Sequence, residues 1–442
     1  MPAGSQTSIE PQLKRSVGIG ELTFYALGSM LGSGIYGLIG KAAGLVGNAV
    51  WLSFLVALVA ALMTALSYAS LGSRYPRAGG AAYVTHRAFR IPVLSFLVGM
   101  ALVCSGLSSV ATQAKVFSAN VAALFGATAL PGEVVVLGFI LILAGIVFRG
   151  IKESMWANIV CTIVEASGLL IVIGAGMSYW GSVDLFEIPA EKADSSLIYL
   201  VMLGSVLTFF AFIGFEDTIN IAEECKNPQV TIPVSLIAAT AMAAVLYIAV
   251  AVTSVSVTPW QELADAPAPL GAVMQRAAPQ FPSGVLIAIT LFAVANTALV
   301  NYVTASRLIY GMSRQGLLPA SLGKVHAQRH TPHIAIVALL AVLIPLALLG
   351  SIAELASAAV LLLLFVFAIV NGALIILKRR PGEPQGAFEV PFFVPIVGAI
   401  ICTILIVFRV ATGHWQAPAI AGVLLAGILA IYMVLRPTPI DD

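Results

Sequence analysis

Apolar runs of about 20 residues recur from one end of this sequence to the other, and a helix of that length crosses the hydrocarbon core of a bilayer. Of its 442 residues, 60% are hydrophobic and only 10% charged, too little polar surface for a water-soluble domain. The runs predict twelve transmembrane helices, centred on 22–45, 49–73, 92–126, 133–150, 156–180, 196–222, 232–257, 283–313, 333–350, 352–377, 392–411 and 416–435. Within hydrocarbon every amide and carbonyl needs an internal partner, so the fold class that follows is an all-α integral membrane protein.

Basic residues set the expected orientation. Lys14 and Arg15, then Arg74, Arg77, Arg87 and Arg90, then Arg149 and Lys152, alternate with acidic loops around Asp184, Glu187, Glu191 and Asp194 and around Glu262 and Asp265. The positive-inside rule then puts both termini in the cytoplasm of a multi-pass protein of the plasma membrane. The tail 1–18 reads as polar, with the first span acting as an uncleaved signal anchor. A net charge of +2 gives no reason to expect nucleic acid as a partner; the expected partners are the lipid bilayer and a small substrate. Cys104, Cys161, Cys225 and Cys402 show no paired spacing and read as packing residues. His326, His330 and His333 are spaced suggestively, but Pro332 interrupts any helix and no acid adjoins them, so no metal is expected.

Two spans lose helical character at their centres. Gly28-Ser-Met-Leu-Gly32-Ser33-Gly34-Ile-Tyr-Gly37-Leu-Ile-Gly40 sets five glycines in thirteen residues, each weakening a helix by about 1 kcal/mol relative to alanine. In the sixth span, Phe209-Phe210-Ala211-Phe212-Ile213-Gly214-Phe215-Glu216 crowds aromatics around one glycine, with Glu216 and Asp217 just after. The two breaks lie five spans apart, so they cross the membrane in opposite directions, and the long third and eighth spans share that offset. This is the pattern of a 5+5 inverted repeat with its site where broken helices 1 and 6 meet. The expected units are a first repeat over 19–180, a second over 181–380, and a last pair of spans with a short tail over 381–442, serving packing or association in a monomer or homodimer.

An unwound helix leaves backbone groups bare, tolerated only beside a cavity or ligand. Amides at Gly32, Ser33 and Gly34 suit a carboxylate at a helix N-terminus. Carbonyls near Phe210, Ala211 and Ile213 suit an ammonium group. An α-amino acid carries both. The competing reading is close packing, since Gly28 and Gly32, or Gly40 and Gly44, form small-xxx-small pairs.

These residues resemble a known family. Gly32-Ser33-Gly34-Ile35-Tyr36 is similar to a first-span signature of the amino acid–polyamine–organocation superfamily, and Pro76-Arg-Ala-Gly-Gly80-Ala-Ala-Tyr83 and Ser306-Arg307-Leu-Ile-Tyr310-Gly-Met-Ser-Arg314-Gln-Gly-Leu-Leu-Pro319 continue the likeness. Lys152-Glu-Ser-Met-Trp-Ala-Asn158, and Phe210-to-Glu216 followed by Ala222-Glu223-Glu224-Cys-Lys226-Asn227-Pro228, most resemble the cationic amino acid transporter branch. The resemblance implies a LeuT-type fold with alternating access and an amino acid or related amine as substrate. It further implies that Gly32, Ser33 and Gly34 hold the carboxylate. The carbonyls of Met30 or Leu31, with those of Phe210, Ala211 and Ile213, would hold the amine, and Phe212 would gate the site.

Glu165 departs from that pattern. Proton-coupled relatives carry a lysine in the fifth span at this place, whereas here a lone carboxylate sits in an apolar run, at a cost of about 2.5–3.5 kcal/mol for a charge at that depth. It would attract a cation: a proton, Na⁺, or the amine of a basic substrate. Thr297 and Asn301 are candidate helpers for Na⁺. Glu165, Glu216 and Asp217 are the candidate coupling residues. Glu216, Asn220, Glu223 and Asn227 recur at α-helical spacing and predict a polar stripe along an inward path, with Glu223 and Glu224 paired to Arg74 or Arg77. Lys115 is a candidate counter-ion to a buried acid, or snorkels to the interface.

The expected function is secondary active amino acid transport with no cofactor beyond the coupling ion, most simply proton-coupled import of a neutral or cationic amino acid. An exchanger and a Na⁺-coupled carrier are the neighbouring alternatives. The competitor of another class is a membrane sensor that binds an amino acid without moving it. No nucleophile–base or phosphate-loop arrangement suggests an enzyme.

Overall fold

Helix accounts for most described residues of the computed structural model, which covers 15–77, 80–125, 131–189, 196–266, 268–349, 352–411 and 416–437. In chain order the α-helices are α1 (Ile19–Met30), α2 (Ser33–Val46), α3 (Val50–Arg74), α4 (Gly80–Phe89), α5 (Pro92–Phe125), α6 (Gly132–Arg149), α7 (Ile151–Gly176) and α8 (Leu197–Phe212). They continue with α9 (Pro228–Val257), α10 (Trp260–Asp265), α11 (Pro269–Ala277), α12 (Ser283–Arg314), α13 (His333–Leu349), α14 (Ile352–Arg379), α15 (Phe393–Ala411) and α16 (Gln416–Leu435). A 3₁₀ segment, Phe215–Glu224, follows α8 after a break.

Nine helical runs among the described residues are long and apolar enough to cross a membrane, and His333–Leu348 and Ala421–Leu435 are shorter apolar helices. The first expected span is a pair of short helices, α1 of 12 residues and α2 of 14. The expected long third and eighth spans are α5 and α12, of 34 and 32 residues.

The distribution of side chains is that of a protein dissolved in lipid. Large apolar groups such as Ile142, Val245, Val423 and Val434 face outward, while Ser, Thr and Asn side chains are buried between helices. Lipid gives helices no hydrophobic reason to associate, so close backbone approach and interhelical hydrogen bonds must hold them. Gly204 of α8 illustrates the first: a Cβ there would stand 2.4 Å from Ser53 Oγ of α3. Asn371 of α14 illustrates the second, donating to Thr64 of α3 at 3.2 Å. The broken elements sit inside this frame, α1 against α7, α9 and α12, and α2 against α8.

Candidate functional site

The two breaks differ in how the backbone leaves the helix. After α1, Leu31 still donates to the Leu27 carbonyl at 2.8 Å, and Gly32 then turns the chain before α2 starts at Ser33. The opening amides of α2 have no carbonyl within their own helix, as at any helix start. After α8, Ile213 is extended and Gly214 takes φ +127°, a conformation that only glycine adopts readily. A Cβ on Gly214 would also lie 2.5 Å from Ser29 Oγ, so the second break is pressed against the end of α1.

Tyr247 of α9 joins the two breaks. Its hydroxyl hydrogen-bonds the carbonyl of Met30 and lies 2.9 Å from that of Ala211. Its ring meets Phe212 edge-on at 5.1 Å. Nothing in the sequence marks this tyrosine, which lies in an ordinary apolar run.

A cavity of about 470 Å³ opens at the breaks and is lined by Met30, Gly32, Gly34, Phe210, Ile213 and Gly214, among others. Five of the expected substrate-binding residues therefore face it: Met30, Gly32, Gly34, Phe210 and Ile213. Leu31 and Ala211 are buried behind the lining. The side chain of Ser33 lies outside the described residues. Phe212, the expected gate, does not line the cavity. Its ring is fully buried against Tyr247, and the aromatics on the cavity wall are Phe210, two residues earlier on α8, and Phe408 of α15.

Glu216 and Asp217 also line the cavity. Glu216 Oε2 accepts the amide of Gly214 at 2.8 Å, and Asp217 Oδ2 accepts the hydroxyl of Ser29 at 2.6 Å. The acids thus tie the second break to its own turn and to α1. Lys41 and Arg409 line the same cavity, so it carries both signs of charge. Thr297 and Asn301 of α12 complete the polar lining, Asn301 donating to Ser109 of α5 at 3.0 Å.

The expected polar stripe at α-helical spacing is also corrected. The segment after Gly214 is a 3₁₀ helix with about 3.0 residues per turn, irregular at Ile221. Glu216 and Asn220 face the cavity, whereas Glu224 turns into the protein and pairs with Arg307 of α12 at 3.1 Å, both side chains fully buried. Arg74, its expected partner, instead binds Glu389 in the segment between α14 and α15 at 2.6 Å. Next to the buried pair, Ser16 and Val17 donate to the Glu224 carbonyl, and Lys226 donates back to Val17. This end of α1 is bound to the end of the 3₁₀ segment.

Glu165 is fully buried on α7 and is not among the cavity-lining residues. Asn296 of α12 donates to its Oε2 at 3.1 Å, and Oε1 has no hydrogen-bond partner. Asn296 also donates to Thr162 at 2.9 Å and accepts from Asn158 at 2.7 Å. Among the described residues, the hydrogen bonds reaching the carboxylates of Glu165, Glu216 and Asp217 come from neutral groups. Asn296 could have been found by the argument that singled out Glu165, as an amide group in an apolar helix.

Residues 19–433 match the family model described as amino acid permease. The chain is 28% identical to the branched-chain amino acid permease BcaP of Bacillus subtilis, over 90% of this chain and 89% of the relative. It is 30% identical to the methylthioribose transporter of the same organism over the same shares. It is 27% identical to cationic amino acid transporter 4 of Mus musculus, over 86% of this chain and 62% of that one. With the broken helices and apolar spans already described, the match makes this chain a multi-pass membrane transporter rather than an enzyme, and it belongs to the amino acid permease family of the amino acid–polyamine–organocation superfamily.

Proposed function

We propose that the protein is a secondary active amino acid carrier that works by alternating access and is driven by proton uptake at Glu165. The observation that carries this reading is the meeting of both helix breaks at one cavity, with a buried carboxylate behind its wall that no cation among the described residues pairs. The topology we assign has twelve spans, two inverted five-helix repeats and both termini in the cytoplasm of the plasma membrane. The amides from Gly32 to Gly34 hold the substrate carboxylate, and the carbonyls of Met30, Leu31, Phe210, Ala211 and Ile213 serve its amine. Tyr247 keeps two of those carbonyls oriented before substrate arrives.

Close packing favours a proton over Na⁺ at Glu165. A Cβ on Gly28 of α1 would lie 2.1 Å from Thr162 Oγ1, 2.3 Å from Asn296 Nδ2 and 2.9 Å from Asn158 Nδ2. The cluster is filled by its own side chains, whereas a metal cation needs several oxygens at fixed distance. Glu216 and Asp217 on the cavity wall favour a substrate with a second positive group, and the small residues Ser105, Gly106 and Ser109 leave room for a neutral one.

The test is uptake of labelled arginine and labelled alanine into liposomes carrying the purified protein, with and without an acid-outside pH gradient. Gradient-stimulated accumulation is the expected result, and the preferred label assigns substrate charge. Saturable binding without counterflow would overturn the carrier reading in favour of a sensor. Accumulation that follows a Na⁺ gradient and ignores pH would overturn the proton.

A further inference from the structure

Behind the cavity wall, α7 and α12 share a chain of fully buried polar groups: Asn158, Thr162, Glu165 and Asn296. Their hydrogen bonds run one way. Asn158 Nδ2 donates to Asn296 Oδ1 at 2.7 Å, and Asn296 Nδ2 donates to Glu165 Oε2 at 3.1 Å and to Thr162 Oγ1 at 2.9 Å. Thr162 passes its own proton to the carbonyl of Phe24 in α1 at 3.3 Å. Two acceptors are left over, Glu165 Oε1 and Asn158 Oδ1. This arrangement offers Glu165 donors only, which suits an ionised carboxylate.

A proton on Glu165 upsets that balance. On Oε1 the new O–H would find no acceptor, and on Oε2 it would meet the NH₂ group of Asn296, also a donor. A side-chain amide has nearly the same shape at its oxygen and nitrogen corners, so a half-turn about its last bond exchanges acceptor for donor at little steric cost. After that turn, Asn296 Oδ1 accepts from the Glu165 acid and from the Thr162 hydroxyl. Its NH₂ then faces Asn158, and a matching turn there offers the oxygen that now lacks a partner. The three links among these side chains are each kept with their direction reversed, and Thr162 leaves the Phe24 carbonyl.

We propose that Asn296 and Asn158 form an amide relay that reverses when Glu165 takes up its proton, freeing the backbone of α1 from Thr162. This rests on the reading of Glu165 as the proton carrier. Asn296 is a positioning residue, acting on α1 through Glu165 and Thr162. The coupling is direct because α1 lies on the cluster at Gly28 with no spare room. The next residue of α12, Thr297, lines the cavity and sits equally close to Gly32, where a Cβ would be 2.1 Å from its Oγ1. The last turns of α1 therefore bear on the relay, and the break that follows them bears on the substrate cavity.

The titratable groups facing Glu165 are few. They are Cys161 on its own helix, Tyr36 of α2, whose hydroxyl donates to the Glu165 backbone carbonyl at 2.7 Å, and Tyr247 of α9. From α12 the facing side chain is Asn296, and α1 presents the backbone at Gly28. Among the described residues no lysine, arginine or histidine acts on the carboxylate.

The experiment compares wild type, Glu165→Gln, Asn296→Leu and Thr162→Val in liposomes with the same labelled amino acid, reading acid-driven accumulation and gradient-free counterflow side by side. Asn296→Leu is expected to lower accumulation about tenfold, the size of losing a hydrogen bond to a charged group, with counterflow far less affected. Thr162→Val should show the same split. If Asn296→Leu does not fold, Thr162→Val decides. Loss of Glu165→Gln accumulation with both relay variants behaving like wild type would overturn the relay and leave the proton reading standing. Wild-type accumulation by Glu165→Gln would overturn both. Equal loss of accumulation and counterflow in the relay variants would reduce them to packing residues.

Discussion

The hydroxyl of Tyr247 lies 2.9 Å from the carbonyl of Ala211 in the second helix break, and it reaches the carbonyl of Met30 in the first as well. A hydroxyl has one proton, so the two carbonyls share it and retain lone pairs, which the proposed amine site would use. Tyr247→Phe should leave the ring packing on Phe212 intact and release both carbonyls. We expect KM to rise about tenfold, corresponding to about 1.4 kcal/mol, with expression and thermal stability little changed. Initial-rate uptake over a substrate series measures it; an unchanged KM would mean that the breaks hold their shape without this tyrosine.

Glu165→Gln keeps the shape and the hydrogen bond from Asn296 but cannot exchange a proton. The variant should lose accumulation driven by an acid-outside gradient and keep counterflow. The same liposome assay reads both quantities, and undiminished accumulation would remove Glu165 from the coupling.

Arg307 and Glu224 form an ion pair with no exposure on either side. Removing one partner leaves a buried charge alone, costing about 3–5 kcal/mol, whereas replacing both with apolar groups of similar size is close to neutral. Arg307→Met should therefore lower Tm markedly, and Arg307→Met combined with Glu224→Leu should recover much of it. Thermal unfolding in detergent distinguishes the two. A double variant no better than the single one would show that the pair's value is not electrostatic.

Gly214 holds φ +127°, and an added Cβ would meet Ser29. Gly214→Ala should cost about 1–3 kcal/mol in backbone strain alone, and on the proposed alternating-access reading transport should fall with it. Gly138→Ala is the control: nothing lies within 4 Å of a Cβ there, and alanine suits a helix interior better. Tm and uptake of the two variants should diverge.

The segment between α14 and α15 is strapped to α3 by Glu389, which accepts from Arg74 at 2.6 Å and Lys378 at 2.9 Å. Burial pushes this carboxyl up, but the hydrogen bonds from Arg74 and Lys378 outweigh it and hold Glu389 down at about 2, from an ordinary value of 4.5. A lowered carboxylate stabilises the fold fully above its unfolded value, and that contribution fades as pH drops toward the folded one. Wild type should thus lose Tm between about pH 4.5 and pH 2 more steeply than Glu389→Gln, which lacks this titration. Parallel curves would mean the strap carries no weight.

Both breaks were legible in the sequence because glycine clusters and an extended turn are local properties of the chain. Gly32 and Gly214 announce themselves without tertiary information. The same holds for Glu165, since a carboxylate in an apolar run is costly wherever the helix packs. Phe212 and Phe210 were not distinguishable: two aromatics two residues apart on one helix point in different directions, and only the neighbouring Tyr247 decides which is buried. The stripe through Glu223 failed because its spacing assumed 3.6 residues per turn where the segment winds at about 3.0.

By itself the sequence determined an all-helical membrane protein with two interrupted helices and a lone buried acid, because length, hydropathy and helix propensity act within each segment. The tertiary structure decided which groups meet. The bridging of Met30 and Ala211 by Tyr247, the pairing of Glu224 with Arg307, and the amide chain from Asn158 through Asn296 to Glu165 each join residues more than 30 positions apart in the chain. Such contacts depend on how helices cross, and in a bilayer that is set by close packing of small residues and by hydrogen bonds between helices, which no single segment records.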